Sequence, residues 1–156
     1  MKYEPWDPAL AAEIIGRHAS LDGATLPILH ALQETFGYVD REAVPMIAEA
    51  LNLSRAEIHG VVTFYHDFRS APAGRHVVKL CRAEACQSVG AVELADHAKR
   101  RLGVDWHGTT FDSRITLEPV FCLGLCACGP AALIDGEPVS GLDAAAFDAA
   151  VAELRA

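Results

Sequence analysis

The apolar positions in the first half of the chain recur at helical spacing. After Asp7-Pro8, an N-cap residue followed by a proline suited to the first helical position, the run "ALAAEIIGRHA" keeps that spacing. "TLPILHALQETFG" predicts a second helix, with Leu26, Leu29, Leu32 and Phe36 on one face and Gly37 placed to end it. A third is expected after Asp40, with Val44, Ile47 and Leu51 spaced for one face. In "SRAE", Ser54 and Glu57 match a capping box, hydroxyl and carboxylate each satisfying an orphan backbone amide at the start of a fourth helix. Four short helices with brief connections predict a small bundle.

The pattern changes near "SAPAGR", residues 70 to 75, which reads as a linker. "HVVKL" (76 to 80) is a short β-branched run, "SVGAVELADHAKRRLG" (88 to 103) an amphipathic helix stopped by Gly103, and "RITLEPVF" (114 to 121) a second strand. "AALID", the turn pair Asp135-Gly136 and "EPVSG" predict a hairpin, and a last helix is expected from Asp143. Strand, helix, strand in that order is a βαβ unit whose strands run parallel, so their carboxyl ends share one edge of the sheet.

Composition and charge narrow the class. A chain of 156 residues suffices for one ordinary domain, or for a small domain with a helical extension, without disulfide support. No apolar run approaches the roughly 18 residues of a membrane span, and "MKYEPWDPAL" lacks the basic start and apolar stretch of a signal peptide. A cytoplasmic protein without a membrane span is expected. The net charge of −8 divides evenly, −4 over residues 1 to 75 and −4 over 76 to 156, leaving no basic stripe for nucleic acid. A protein partner fits better.

The chemistry lies in five cysteines, two in "CRAEAC" (81 to 86) and three in "CLGLCAC" (122 to 128). Each group directly follows one strand of the βαβ unit, so the two should converge at the sheet edge where open α/β sheets hold ligands. In a reducing compartment, grouped cysteines more often bind metal or do redox chemistry than form structural bridges. Four thiolates suit zinc or an iron–sulfur cluster. The C-x4-C and C-x3-C spacings favour the wider arcs of a [2Fe–2S] unit over the C-x2-C knuckles common for zinc, and both metals stay open on spacing alone. No histidine lies in either loop, which argues against a Rieske centre, and there is no C-x-x-C dithiol. The seven histidines read as solvent-facing or hydrogen-bonded structural residues. There is no G-x-G-x-x-G after a strand, no P-loop and no Ser/His/Asp set.

"CRAEAC", a helix and a strand, then "CLGLC" resembles the thioredoxin-like [2Fe–2S] ferredoxin family, represented by the 24 kDa subunit of respiratory complex I and by relatives in NAD-linked hydrogenases and formate dehydrogenases. "LQETFGYVDREAV" and "LSRAEIHGVVTFYHDFR" look like that family's helical N-terminal domain, so the similarity covers residues 25 to 140. The resemblance implies an α+β chain: a helical bundle over residues 1 to 70, then a thioredoxin-like α/β [2Fe–2S] domain over 76 to 156. Carried over by position, it implies Cys81, Cys86, Cys122 and Cys126 as ligands and leaves Cys128 outside the motif, as a small buried residue beside the loop. The competing register pairs Cys122 with Cys128 and abandons the motif.

"VVTFYHDFR" with "CLGLCACGPAALIDGEPV" looks most like the γ subunit of soluble NAD-dependent formate dehydrogenase. The resemblance thus implies a non-catalytic electron-transfer subunit whose flavin and NAD chemistry belongs to a partner; a zinc-stabilised interaction module is the alternative of another class. An oxidised cluster with four thiolates carries about −2 formally, so donors are expected to face it from the backbone near Gly124 and Gly129 and from a helix start at Ser88. Lys79 and Arg82, which flank the first loop, read as exposed surface charges.

Overall fold

The computed structural model describes residues 3–155 and divides the chain into two compact units, Met1–Pro72 and Ala73–Ala156. In the first unit Asp7 accepts from the Ala9 amide at 2.9 Å and caps helix α1, Pro8–His18, in which Pro8 occupies the first position. Helix α2, Thr25–Phe36, ends on Gly37, whose left-handed backbone (φ 82°) lets its N–H reach the Gln33 carbonyl at 2.8 Å. Helix α3 spans Ala43–Leu51 and stops at Asn52, also left-handed. Helix α4, Arg55–Phe64, opens with both halves of the capping box: the Glu57 amide donates to Ser54 Oγ at 3.2 Å and the Ser54 amide to Glu57 Oε2 at 2.8 Å.

The core of this unit gathers Ile14, Ile15, Ile28, Leu29, Leu32, Phe36, Ile47 and Ile58. Two predicted faces shift. In α2, Ile28 joins Leu29, Leu32 and Phe36 in the core, while Leu26 is only partly covered in the first turn. In α3, Ala43 and Ala48 flank Ile47 inside, and Val44 and Leu51 sit at the margin. Small alanines let neighbouring helices approach closely, which the spacing of large residues does not reveal.

The second unit is built on a five-stranded sheet in the order β2-β3-β1-β4-β5, formed by β1 His76–Cys81, β2 Gly108–Thr109, β3 Ile115–Val120, β4 Ala131–Ile134 and β5 Glu137–Ser140. β1 and β3 run parallel and in register, His76 opposite Ile115 and Cys81 opposite Val120; the other pairings are antiparallel. Asp135 and Gly136 both take positive φ in the β4–β5 turn, as a two-residue type I′ hairpin requires. Val78 and Leu80 of β1 and Ile115 and Leu117 of β3 bury one sheet face against Leu94, Ala95 and Ala98 of α6, Ala91–Leu102, and Phe147 and Val151 of α7, Ala144–Arg155.

The crossover departs from the predicted helix over 88 to 103. A one-turn helix α5, Glu84–Gln87, comes first and ends at Ser88; Gly90 (φ 101°) then reverses the chain and α6 begins at Ala91. Wrapping the first loop around Cys86 consumes those residues, so Ser88 ends a helix rather than starting one. Strand β2 has no counterpart in the sequence pattern, being two residues long, too short to show a period. Among the described residues no helix is long and apolar enough to cross a membrane.

Candidate metal centre

Parallel pairing of β1 with β3 brings the two cysteine groups to one edge of the sheet. Cys81 is the last residue of β1 and Cys86 lies in α5; both are 2% exposed. Cys122 follows β3 by two residues and takes a left-handed backbone (φ 78°), as does Gly124 (φ 77°), so the loop curls on itself. That curl sets Cys122 Sγ 3.7 Å from Cys126 Sγ at the start of the 3₁₀ turn Cys126–Cys128, with both residues exposed. Two thiolates on one tetrahedral ion, with metal–sulfur bonds near 2.3 Å, stand about 3.8 Å apart.

The sulfurs sit among backbone donors. The Gly124 amide lies 3.4 Å from Cys122 Sγ. Burial pushes the Cys81 thiol up, yet the amides of Ala83, Cys122 and Leu123 and a hydrogen bond with Cys86 outweigh it, so Cys81 ionises below the ordinary thiol range. Cys86 goes the other way: burial, the bond with Cys81 and the charges of Cys81 and Cys126 raise it against an amide donated by Ala131. Cys126 is raised by its hydrogen bond with Cys122 and by the charge of Cys122, then by burial and Cys81. Cys81, Cys86 and Cys126 are thus each shifted by groups from both loops.

The four thiols stand as two pairs, Cys81 with Cys86 and Cys122 with Cys126. Two pairs of thiolates would supply the four cysteine ligands of a [2Fe–2S] unit. The surroundings fit that group. A Cβ on Gly129 would lie 3.2 Å from Cys86 Sγ and 3.1 Å from a Val89 methyl, so a side chain here would press on both by a few tenths of an ångström. Four thiolates, no imidazole and several amide donors suit a [2Fe–2S] unit.

Three expectations need correction. Cys128 is exposed rather than buried; its amide donates to the Leu125 carbonyl at 3.0 Å and its carbonyl accepts from Gly141 at 2.7 Å, so its backbone, more than its thiol, ties the loop down. Lys79 lies 3.5 Å from the buried carboxylate of Glu118, and the Arg82 guanidinium packs 5.2 Å from the Trp106 ring centroid with its Nε buried, so neither is a free surface charge. Amide donors do come from the glycine-bearing loop, at Leu123, Gly124 and Ala131, and also from Ala83, but not from Ser88, whose amide donates to the Glu84 carbonyl. Gly124 and Gly129 pointed to part of this set; the Ala83 amide left no mark on residue type. The histidines divide as expected: His18 bonds the Ile14 carbonyl at 2.8 Å, His76 lies 2.6 Å from Asp135 and His97 3.0 Å from Asp148, while His30, His59, His66 and His107 are exposed.

The family model of the thioredoxin-like [2Fe–2S] ferredoxin matches residues 11–155. An NADH-quinone oxidoreductase subunit from Pseudomonas aeruginosa is 35% identical over 114 residues, covering 73% of this chain and 69% of that protein. The HndA subunit of the NADP-reducing hydrogenase from Solidesulfovibrio fructosivorans is 32% identical over 120 residues, covering 77% and 70%. The chain spans 50% of the length of the mycobacterial NADH-quinone oxidoreductase subunits it also matches. In the crystal structure of an air-oxidised NAD+-reducing [NiFe]-hydrogenase, one chain superposes with a TM-score of 0.68 and 28% identity, over 84% of this chain and 22% of that one. With the model spanning nearly all the described residues and its cysteine loops meeting at one sheet edge, the chain belongs to the thioredoxin-like [2Fe–2S] ferredoxin family.

Proposed function

We propose that this chain is the electron-transfer subunit of a cytoplasmic, multi-subunit NAD-linked oxidoreductase, and that Cys81, Cys86, Cys122 and Cys126 hold its single [2Fe–2S] cluster. The observation carrying this reading is the arrangement of four thiols in two pairs with amide donors aimed at them. When bound, the cluster supplies a one-electron acceptor and donor. The chain's own residues do the rest: buried Cys81 and Cys86 anchor the group on the sheet, the amides of Ala83, Cys122, Leu123 and Gly124 offset negative charge on sulfur, and exposed Cys122 and Cys126 face the outside. A flavin- and NAD-binding partner would take hydride electrons in pairs and exchange them with this chain singly.

As parent complex we propose an NAD-dependent formate dehydrogenase, on the strength of "VVTFYHDFR" and "CLGLCACGPAALIDGEPV". The similarity to the NADH-quinone oxidoreductase subunits and to HndA supports the second reading, a complex I or hydrogenase parent. Purification of the tagged chain from its host decides between them. Co-elution of a flavoprotein and formate-dependent NAD+ reduction is expected; NADH:quinone or hydrogenase activity in the same fraction would overturn the choice of parent.

A further inference from the structure

The two cysteine-bearing segments, residues 81–90 and 121–130, contain one basic side chain, Arg82, against one acidic, Glu84. Arg82 directly follows Cys81. Its amide donates to the Val120 carbonyl and its carbonyl accepts from Gln87 Nε2, both at 2.7 Å, so its backbone is pinned between the end of β3 and the turn carrying Cys86. The guanidinium is held over Trp106, at 5.2 Å from the ring centroid, with Nε buried and unpartnered. Other cations nearby are matched: Lys79 has Glu118 at 3.5 Å, and Lys99, 4.7 Å from the same indole, has Asp105 at 2.6 Å. Among the described residues Arg82 has no carboxylate partner.

We infer that Arg82 is a fixed positive charge, positioned by Trp106, that raises the reduction potential of the cluster. This rests on the proposed ligand set. Adding one electron makes the cluster more negative, so a neighbouring cation stabilises the reduced form more than the oxidised one. Consecutive Cα atoms are about 3.8 Å apart, which keeps the guanidinium within about 10 Å of the Cys81 backbone, no farther than a Debye length in dilute salt. Cation–π contact with Trp106 matters because a freely swinging arginine would spend its time in water, where its field is screened.

The test is a redox titration of the full-length, cluster-loaded chain, followed by electron paramagnetic resonance. Arg82→Gln should lower the one-electron reduction equilibrium constant at least about threefold, a shift of roughly 28 mV to more negative potential at 59 mV per decade. Arg82→Lys should recover part of the shift, and Trp106→Leu should fall between wild type and Arg82→Gln with a stronger dependence on salt. A role in packing alone would lower the melting temperature and leave the potential in place; that result overturns the inference. Should Arg82→Gln lose its cluster, the Trp106→Leu potential decides by the same criterion. A wild-type chain that binds no iron would instead sink the ligand assignment itself.

Discussion

Replacing Cys128 and replacing Cys126 should give opposite results although the two thiols lie two residues apart and both are exposed. Cys126 Sγ is paired with Cys122 Sγ at 3.7 Å, while the observed ties of Cys128 run through its main chain. Cys128→Ser is expected to keep its iron, and Cys126→Ser to lose it, as read by visible absorption and iron content after anaerobic desalting. Gly129 gives a finer prediction. Its backbone (φ −64°) accepts any residue, so the cost of Gly129→Ala is steric alone: a methyl 3.2 Å from Cys86 Sγ and 3.1 Å from Val89. The variant should fold yet lose its cluster several-fold faster to a chelator, and Val89→Ala should restore part of the difference by relieving one of the two contacts. The cysteine positions were legible because spacing and residue type declare them. The curl that pairs them was not, because Cys122 enters the left-handed region without being glycine.

Among the helices and strands, the signals that proved readable are local ones. Asp7-Pro8, Gly37 and the Ser54/Glu57 box each satisfy or terminate a helix end through atoms a few residues apart, and each occurs where the pattern put it. The box carries a pH prediction. Hydrogen bonds from the Ser54 amide and hydroxyl hold the Glu57 carboxyl below its ordinary value of 4.5. A carboxylate depressed in the folded state contributes stability above its unfolded pKa, and that contribution is lost as the pH falls through the folded pKa. Ser54→Ala should therefore lower the urea midpoint near neutral pH and flatten its decline on acidification below about pH 4.5. What escaped the sequence depends on distant partners: β2 exists only as a neighbour of β3, and the late start of α6 follows from the turn around Cys86. In the second unit, Phe147 is 1% exposed between the sheet and α6. Phe147→Ala should cost about 3–5 kcal/mol in urea unfolding, the usual toll of emptying a phenyl site.

At the scale of the whole molecule, the fold brings two distant cysteine groups to one edge of a sheet. Its second unit uses the βαβ crossover to return Cys122 to Cys81 across 40 intervening residues, and the parallel register of β1 on β3 fixes where they meet. The isolated, cluster-loaded chain should accept an electron from dithionite but remain oxidised in NADH alone, and become reducible by NADH once a flavoprotein partner is added; the visible spectrum under nitrogen reads all three conditions. The family was legible from "CRAEAC" and "CLGLC", whose residue type and spacing declare the site. The most direct test of the central claim is the metal and acid-labile sulfide content of the chain purified without oxygen. About two irons and two sulfides per chain, with no zinc, are predicted for two thiol pairs bridged by sulfide; one zinc and no sulfide would contradict the account.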